Sequence, residues 1–143
     1  MSGFLLDTNV TSEQIRSKPN PAVTSWLFTQ PEHALFMSAV TIGELRKGFV
    51  LLPAGSQRSR LQEWFHTVLI PRFRERILSV TCSVADRWGT LDGERRLRGA
   101  PLNTADAMIA ATALEHGLTL VTRNVKDFAG LQVGLFNPWA HAP

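Results

Sequence analysis

Asp7 closes the apolar run of "FLLDTNV", residues 4–10, and Thr8 and Asn9 follow it at once. A short apolar run suits a strand buried on both faces. A carboxylate, a hydroxyl and an amide at its end make an all-oxygen donor set. Acids recur in similar settings: Glu44 in "TIGE", Asp106 in "NTAD" and Asp127 in "NVKD", each three residues after a Thr or Asn. Taken singly, each fits helix-start chemistry, in which a cap residue and an acid three positions on satisfy free backbone N–H groups. Taken together, they fit a second chemistry. If the helices begin where strands end, these carboxylates can converge on one sheet edge, and a bound hard cation relieves their repulsion. Carboxylate, hydroxyl and amide oxygens without paired His or Cys ligands suit magnesium or manganese better than zinc. A helix N-terminus also favours the ionised carboxylate, which is the form that binds metal.

Bringing such acids together requires strands that alternate with helices. "GFLL" reads as the first strand; "SEQIR" reads as a capped helical start before a proline-marked loop, and the next helix carries Val23, Trp26 and Leu27 on one side. "HALFMSAV" is strand-like. In "TIGELRKGFVLL" the spacing of Ile42, Leu45 and Phe49 predicts a helix stopped by Pro53 and Gly55. Another helix is expected from about Ser56 to Leu69, with Leu61, Trp64, Phe65 and Val68 as its apolar stripe, and "RILSV" is a third strand. Helices follow over Val84 to Leu97 and Thr104 to His116, the second closed at Gly117. "LTLVT" and "LQVGLF" are the last strands, with a short turn or helix around "NVKDF" between them. This alternation predicts an α/β fold whose parallel sheet is covered on both faces. Ligands of such sheets bind beyond the C-terminal strand ends, near the point where strand order reverses.

A chain of 143 residues fits a single domain, 1–143, and a hydrophobic fraction of 44% against 19% charged places it among globular proteins. No leader pattern opens it, and no apolar run approaches the roughly 18 residues that span a bilayer, so a cytoplasmic protein without membrane contact is expected. The lone Cys82, in "ILSVTCSV", is expected to be a buried structural thiol. Net charge is only +3, but Arg58, Arg60, Arg72, Arg74, Arg76, Arg95, Arg96 and Arg98 crowd the middle of the chain. Guanidinium groups make forked contacts to phosphate. They also pair on solvated helix faces, here with Glu63, Glu75, Asp92 and Glu94, and both readings remain open. His33, His66, His116 and His141 form no ligand pair by spacing, and Trp26, Trp64, Trp88 and Trp139 read as packing residues.

The stretches "LLDTNV", "SAVTIGELRKG", "NTADAMIAATALEHGLTLVTRNVKDF" and "VGLFNPW", taken in order, resemble the PIN-domain ribonucleases. They are most similar to the VapC-type toxins of bacterial type II toxin–antitoxin modules, including the FitB-like branch. The resemblance covers nearly the whole chain. It implies a PIN-like three-layer α/β/α sandwich with a central parallel sheet of about five strands. It also implies an endoribonuclease dependent on Mg2+ (or Mn2+), acting on RNA such as transfer or ribosomal RNA. The partners it implies are a cognate VapB-like antitoxin and a second copy of the chain, in a heterotetramer or larger assembly that reaches operator DNA only through the antitoxin.

Carried over residue by residue, Asp7 matches the family's first acid, Glu44 the second and Asp106 the third. The resemblance makes Asp7 and Asp106 direct metal ligands, with Glu44 assisting through metal-bound water or a second metal. Thr8, Asn9 and Thr104 match polar positions that line the family's site. Where many PIN domains carry a fourth acid after the "T-x" that ends the fourth strand, this chain has Asn124, and Asp127 is the nearest acid. Asn124 offers an oxygen without charge, which implies one metal at rest and a second arriving with substrate. Arg123, Arg46 or the middle arginines would hold flanking phosphates. In-line attack by water would leave 5′-phosphate and 3′-hydroxyl ends. A phosphate-accepting receiver-like or phosphatase domain is a rival, but "DTN" lacks the second acid that the dehalogenase-type pattern needs. The other rival is a catalytically weak PIN domain that serves a DNA-binding antitoxin in autoregulation.

Overall fold

The computed structural model describes residues 2–140, so His141 lies outside the described residues. Its strands are β1 (Phe4–Leu6), β2 (Leu35–Ser38), β3 (Ile77–Leu78), β4 (Thr119–Val121) and β5 (Leu135–Phe136). They form a five-stranded sheet in the order β3-β2-β1-β4-β5, with every pairing parallel. The chain moves from the central β1 to β2 on one side and later to β4 on the other. Strand order therefore reverses at β1, and the crevice beyond its C-terminal end is where Asp7 sits.

The helices are α1 (Thr8–Glu13), α2 (Pro21–Thr29), α3 (Ala39–Leu51), α4 (Ser56–Trp64), α5 (Ile70–Phe73), α6 (Cys82–Leu97) and α7 (Thr104–His116). Successive strand residues face opposite sides, and β1 shows the consequence. Leu5 packs into a core with Ile109, Ala110 and Leu120, whereas Leu6 packs into a second core with Val10, Val23, Leu69 and Phe73. Burying either leucine fully contributes roughly 1.5–3 kcal/mol. The small Ala107, Ala110, Ala111 and Ala113 let α7 approach the sheet closely, and all are buried. Gly117 ends α7 in the left-handed conformation, φ 64°, that a C-cap favours.

Several expectations need correction. The first helix starts at Thr8, directly after the strand, rather than at the "SEQ" stretch, because Asp7 itself supplies the cap. Cys82 is the first residue of α6 behind the Thr81 cap and is exposed, so it is no buried thiol. Between α4 and α5 a π-helical turn, Phe65–Leu69, replaces regular α-helix. The wider turn shifts the apolar phase. Val68 is consequently 49% exposed, and Leu69 takes the buried place expected for it.

Candidate active site

The site begins with the register of β1 and β4. Leu6 lies beside Val121, which sets Asp7 and Thr122 next to each other one residue further on. The Asp7 backbone N–H continues the ladder by donating to the Val121 carbonyl at 2.9 Å. Its side chain, 4% exposed, accepts from the Thr122 hydroxyl at 2.8 Å and from the Thr8 backbone N–H at 2.8 Å. Thr122 in turn accepts the Asn124 backbone N–H at 3.1 Å, and the Asn9 amide lies 3.4 Å from its hydroxyl. Asn9 also receives the Arg123 backbone N–H at 3.4 Å, so α1 and the residues after β4 are clasped together.

Glu44 reaches the same place from α3. The Thr8 hydroxyl donates to it at 2.5 Å, with the buried Thr41 hydroxyl 3.1 Å from that of Thr8. The capping reading of the Thr41–Glu44 pair fails. Helix α3 starts earlier, and Ser38 caps it by accepting the Val40 N–H at 3.0 Å, so Thr41 and Glu44 lie inside the helix with their side chains released for other work. At α7 the capping reading holds instead: the Asn103 side chain accepts from the Ala105 and Asp106 backbone N–H groups. Asp106 is thereby placed in the first turn, half-buried, and no described residue donates a hydrogen bond to its carboxylate.

Electrostatics tie these acids together. Burial pushes the Asp7 carboxyl above its ordinary range; its bonds to Thr122 and Thr8 oppose that shift, and the Glu44 charge adds to it. The Asp106 carboxyl is pushed up to about 6, first by burial and then by the charges of Asp7, Glu44 and Asp127. No ion pair among the described residues joins Asp7, Glu44 or Asp106 to a basic side chain. Nor do three or more His, Cys, Asp or Glu side chains among the described residues form a ready-made coordinating group. An unpartnered carboxylate facing other carboxylates, with hydroxyl and amide oxygens close by, suits a hard divalent ion.

The remaining expected residues divide. Asp127 lies on a 3-10 turn, Val125–Phe128, near enough for its charge to reach Asp106, and Arg95 approaches its backbone carbonyl at 3.5 Å. Asn124 precedes that turn without a capping side-chain bond. Thr104 opens α7, is exposed, and makes no hydrogen bond to the acids. Arg46 is committed elsewhere: its guanidinium contacts His66 Nε2 at 2.7 Å and lies 5.1 Å from the Phe65 ring centre. Arg123 lies 5.2 Å from the Trp139 ring centre at the exposed edge beyond β4. Of the middle arginines, Arg72 and Arg76 bind Glu32 and flank the Phe73 ring, and Arg96 pairs with Asp92. Glu63 and Glu75 form no ion pair with an arginine among the described residues.

Sequence reasoning missed Thr122 and Thr41. A signal for Thr122 existed, since "LTLVT" ends in a hydroxyl as "FLLD" ends in an acid, and parallel strands in register set such ends side by side.

The PIN domain family model matches residues 4–132. The chain belongs to the PIN domain family. Among its relatives is Toxin FitB of Neisseria gonorrhoeae, 38% identical over 136 residues that cover 95% of this chain and 98% of that one. VapC ribonuclease Y4jK of Sinorhizobium fredii is 33% identical over 139 residues, covering 97% and 99%. Among solved structures, FitAB bound to a DNA fragment aligns at TM-score 0.90 with 36% identity, covering 98% of each chain. The PIN fold expected from the sequence is thus the one observed, with its five parallel strands and helices on both faces. No helix among the described residues is long and apolar enough to cross a membrane.

Proposed function

We propose that this PIN domain is an Mg2+- or Mn2+-dependent endoribonuclease and the toxin of a VapBC-type toxin–antitoxin module. The observation that carries the reading is that Asp7, Glu44 and Asp106 lie near enough at the strand-order reversal for their charges to act on one another, with no donor or ion pair for Asp106 among the described residues. The similarity to a protein named a VapC ribonuclease supports the reaction class, and the likeness to a toxin and to a DNA-bound FitAB complex supports the module. A cognate antitoxin, a second copy of the chain, and operator DNA reached through the antitoxin are the partners this reading assigns.

In this mechanism Asp7 and Asp106 would hold the ion, which when bound would supply an acidified water and polarise a phosphate oxygen. Thr122 and the Thr8 N–H keep Asp7 in one orientation, so that carboxylate need not be reorganised for each turnover. Glu44, steadied by the Thr8 hydroxyl, orients the attacking water and takes up its proton. Asn124 brings no charge to the fourth position; Asp127 brings its charge from the neighbouring turn instead.

The test is incubation of purified, antitoxin-free protein with total bacterial RNA in magnesium, manganese or EDTA, beside Asp7→Asn. Discrete metal-dependent cuts with 5′-phosphate and 3′-hydroxyl ends, lost in the variant, are expected. A 2′,3′-cyclic phosphate product would sink the mechanism, and a folded protein inert in both metals would leave only the role of binding subunit.

A further inference from the structure

Beside the acids lies a cleft of about 480 Å³ between α1, α3 and α4, and Thr8 and Glu44 form one end of it. That volume is within the roughly 300–1,000 Å³ of pockets that enclose a small organic ligand. Its wall is apolar, built from Leu45, Phe49 and Leu61, and its rim carries Arg16 and Arg60. Arg60 is exposed and has no carboxylate partner among the described residues, whereas Arg16 is held loosely to Glu13 at 3.4 Å with its side chain 64% exposed. A larger cleft of about 820 Å³ lies between α6, α7 and residues 130–132 and holds none of the site acids.

We propose that the smaller cleft seats the nucleotide next to the scissile phosphate of single-stranded RNA, its base on the apolar wall and its phosphate between Arg16 and Arg60. The inference rests on the nuclease reading above and adds a substrate subsite to it. Charge complementarity favours this occupant. An acidic peptide would satisfy the arginines and be repelled by Glu44, and a basic peptide would do the reverse. A phosphodiester chain meets both: one phosphate lies at the acids with its cation, and the next lies one nucleotide along at the cationic rim. Between them the chain presents a flat base to an apolar surface. Ser17 and Gln57, on the same lining, have the donors and acceptors to read that base's edge.

Gly48 gives a clean way to close the cleft. It lines the pocket from within α3, and a Cβ built there meets nothing within 4 Å, so Gly48→Leu fills space without a clash at its root. The helix backbone gains propensity from the same change.

The experiment uses the full chain carrying Asp7→Asn and a short fluorescein-labelled single-stranded RNA containing a photoreactive thiouridine. Binding is followed by anisotropy over a salt series, and crosslinks are mapped. Arg60→Gln and Arg16→Gln are each expected to weaken binding roughly three- to fivefold. Each should also lower the log–log salt slope by about 0.7, as loss of one phosphate contact on a single strand requires. Gly48→Leu should remove crosslinks to α3 and α4 and, with Asp7 restored, raise KM with little change in kcat. Arg87→Gln, on the other cleft and paired there with Glu115, is the charge control and should change neither. Unchanged binding and KM in Arg60→Gln and Gly48→Leu overturn the inference, as does loss of antitoxin binding in those variants with RNA binding intact, which assigns the cleft to a protein segment. The nuclease reading fails separately, if the wild-type protein shows no cleavage that Asp7→Asn removes.

Discussion

Asp7 and Asp106 carry the same carboxylate at the same site and are held in opposite ways. Asp7 is buried and takes hydrogen bonds from a side chain and the backbone, whereas Asp106 is half-buried and takes none. Burial raises both, but at Asp7 the donors stabilise the charged form and offset part of the cost, and at Asp106 nothing does. One acid is positioned by the fold in advance. The other has neither donor nor ion pair among the described residues, and burial and the neighbouring charges make its ionised form costly.

Replacing either acid should bring RNA cleavage to background, so Asp7→Asn and Asp106→Asn are the largest expected effects. Calorimetry should separate them: if the ion needs both acids, each variant also loses the magnesium binding heat. Retained binding heat in Asp106→Asn would show that Asp7 holds the ion without it. Next comes Thr122→Val, which keeps shape but removes the donor to Asp7. Turnover should fall about 10- to 100-fold, as for residues that orient a metal ligand. The acid limb of the pH profile should move upward, because the lost bond had favoured the ionised carboxylate. Thr104→Val, at a residue with no bond to the acids, should leave cleavage nearly unchanged. Equal losses in the two would mean that the Thr122 bond does not set Asp7 apart.

A smaller effect concerns the metal-free protein. Folding pushes the Asp106 carboxyl up to about 6 from the ordinary aspartate value of 3.8 that it has in the unfolded chain, so the folded state binds the extra proton between those values. Stability must therefore fall as pH rises from about 4 to about 6. Asp106→Asn should melt higher than wild type in EDTA at pH 7, and the difference should vanish below about pH 4. Magnesium should reverse the order. The smallest effect is at Glu32, an acid given cations by the fold: bonds from Arg72, then Arg72 and Arg76 charge, pull it below its ordinary value despite partial burial. Its contribution is present above the unfolded value and lost as pH falls. Glu32→Gln should cost about 1 kcal/mol or less near neutral pH in a denaturant titration, since the Glu32 side chain is half-exposed.

The alternation of apolar runs and helical spacing was enough to expect a parallel α/β sheet, because strand and helix periods are local properties of a chain. Spacing also placed Asp106 correctly, since Asn103 caps α7 as its neighbours require. The same rule misplaced Glu44. There Ser38 wins the cap, and Thr41 and Glu44 turn to Thr8 across the site. Val68, expected in the apolar stripe, is half-exposed and Leu69 is buried, in a segment where a π-helical turn interrupts the α-helical spacing. Which arginines are spoken for could not be known either, as Glu32 stands 40 residues before Arg72.

The amino-acid sequence by itself determined the alternating elements, the acids at their junctions and, through its motifs, the PIN family. Only the tertiary structure decided that Thr122 would hold Asp7 and that Asp106 would be left unpaired. Helix and strand preferences act over a few residues, whereas a hydrogen bond across 115 residues and the field of converging charges exist only once the strands are in register.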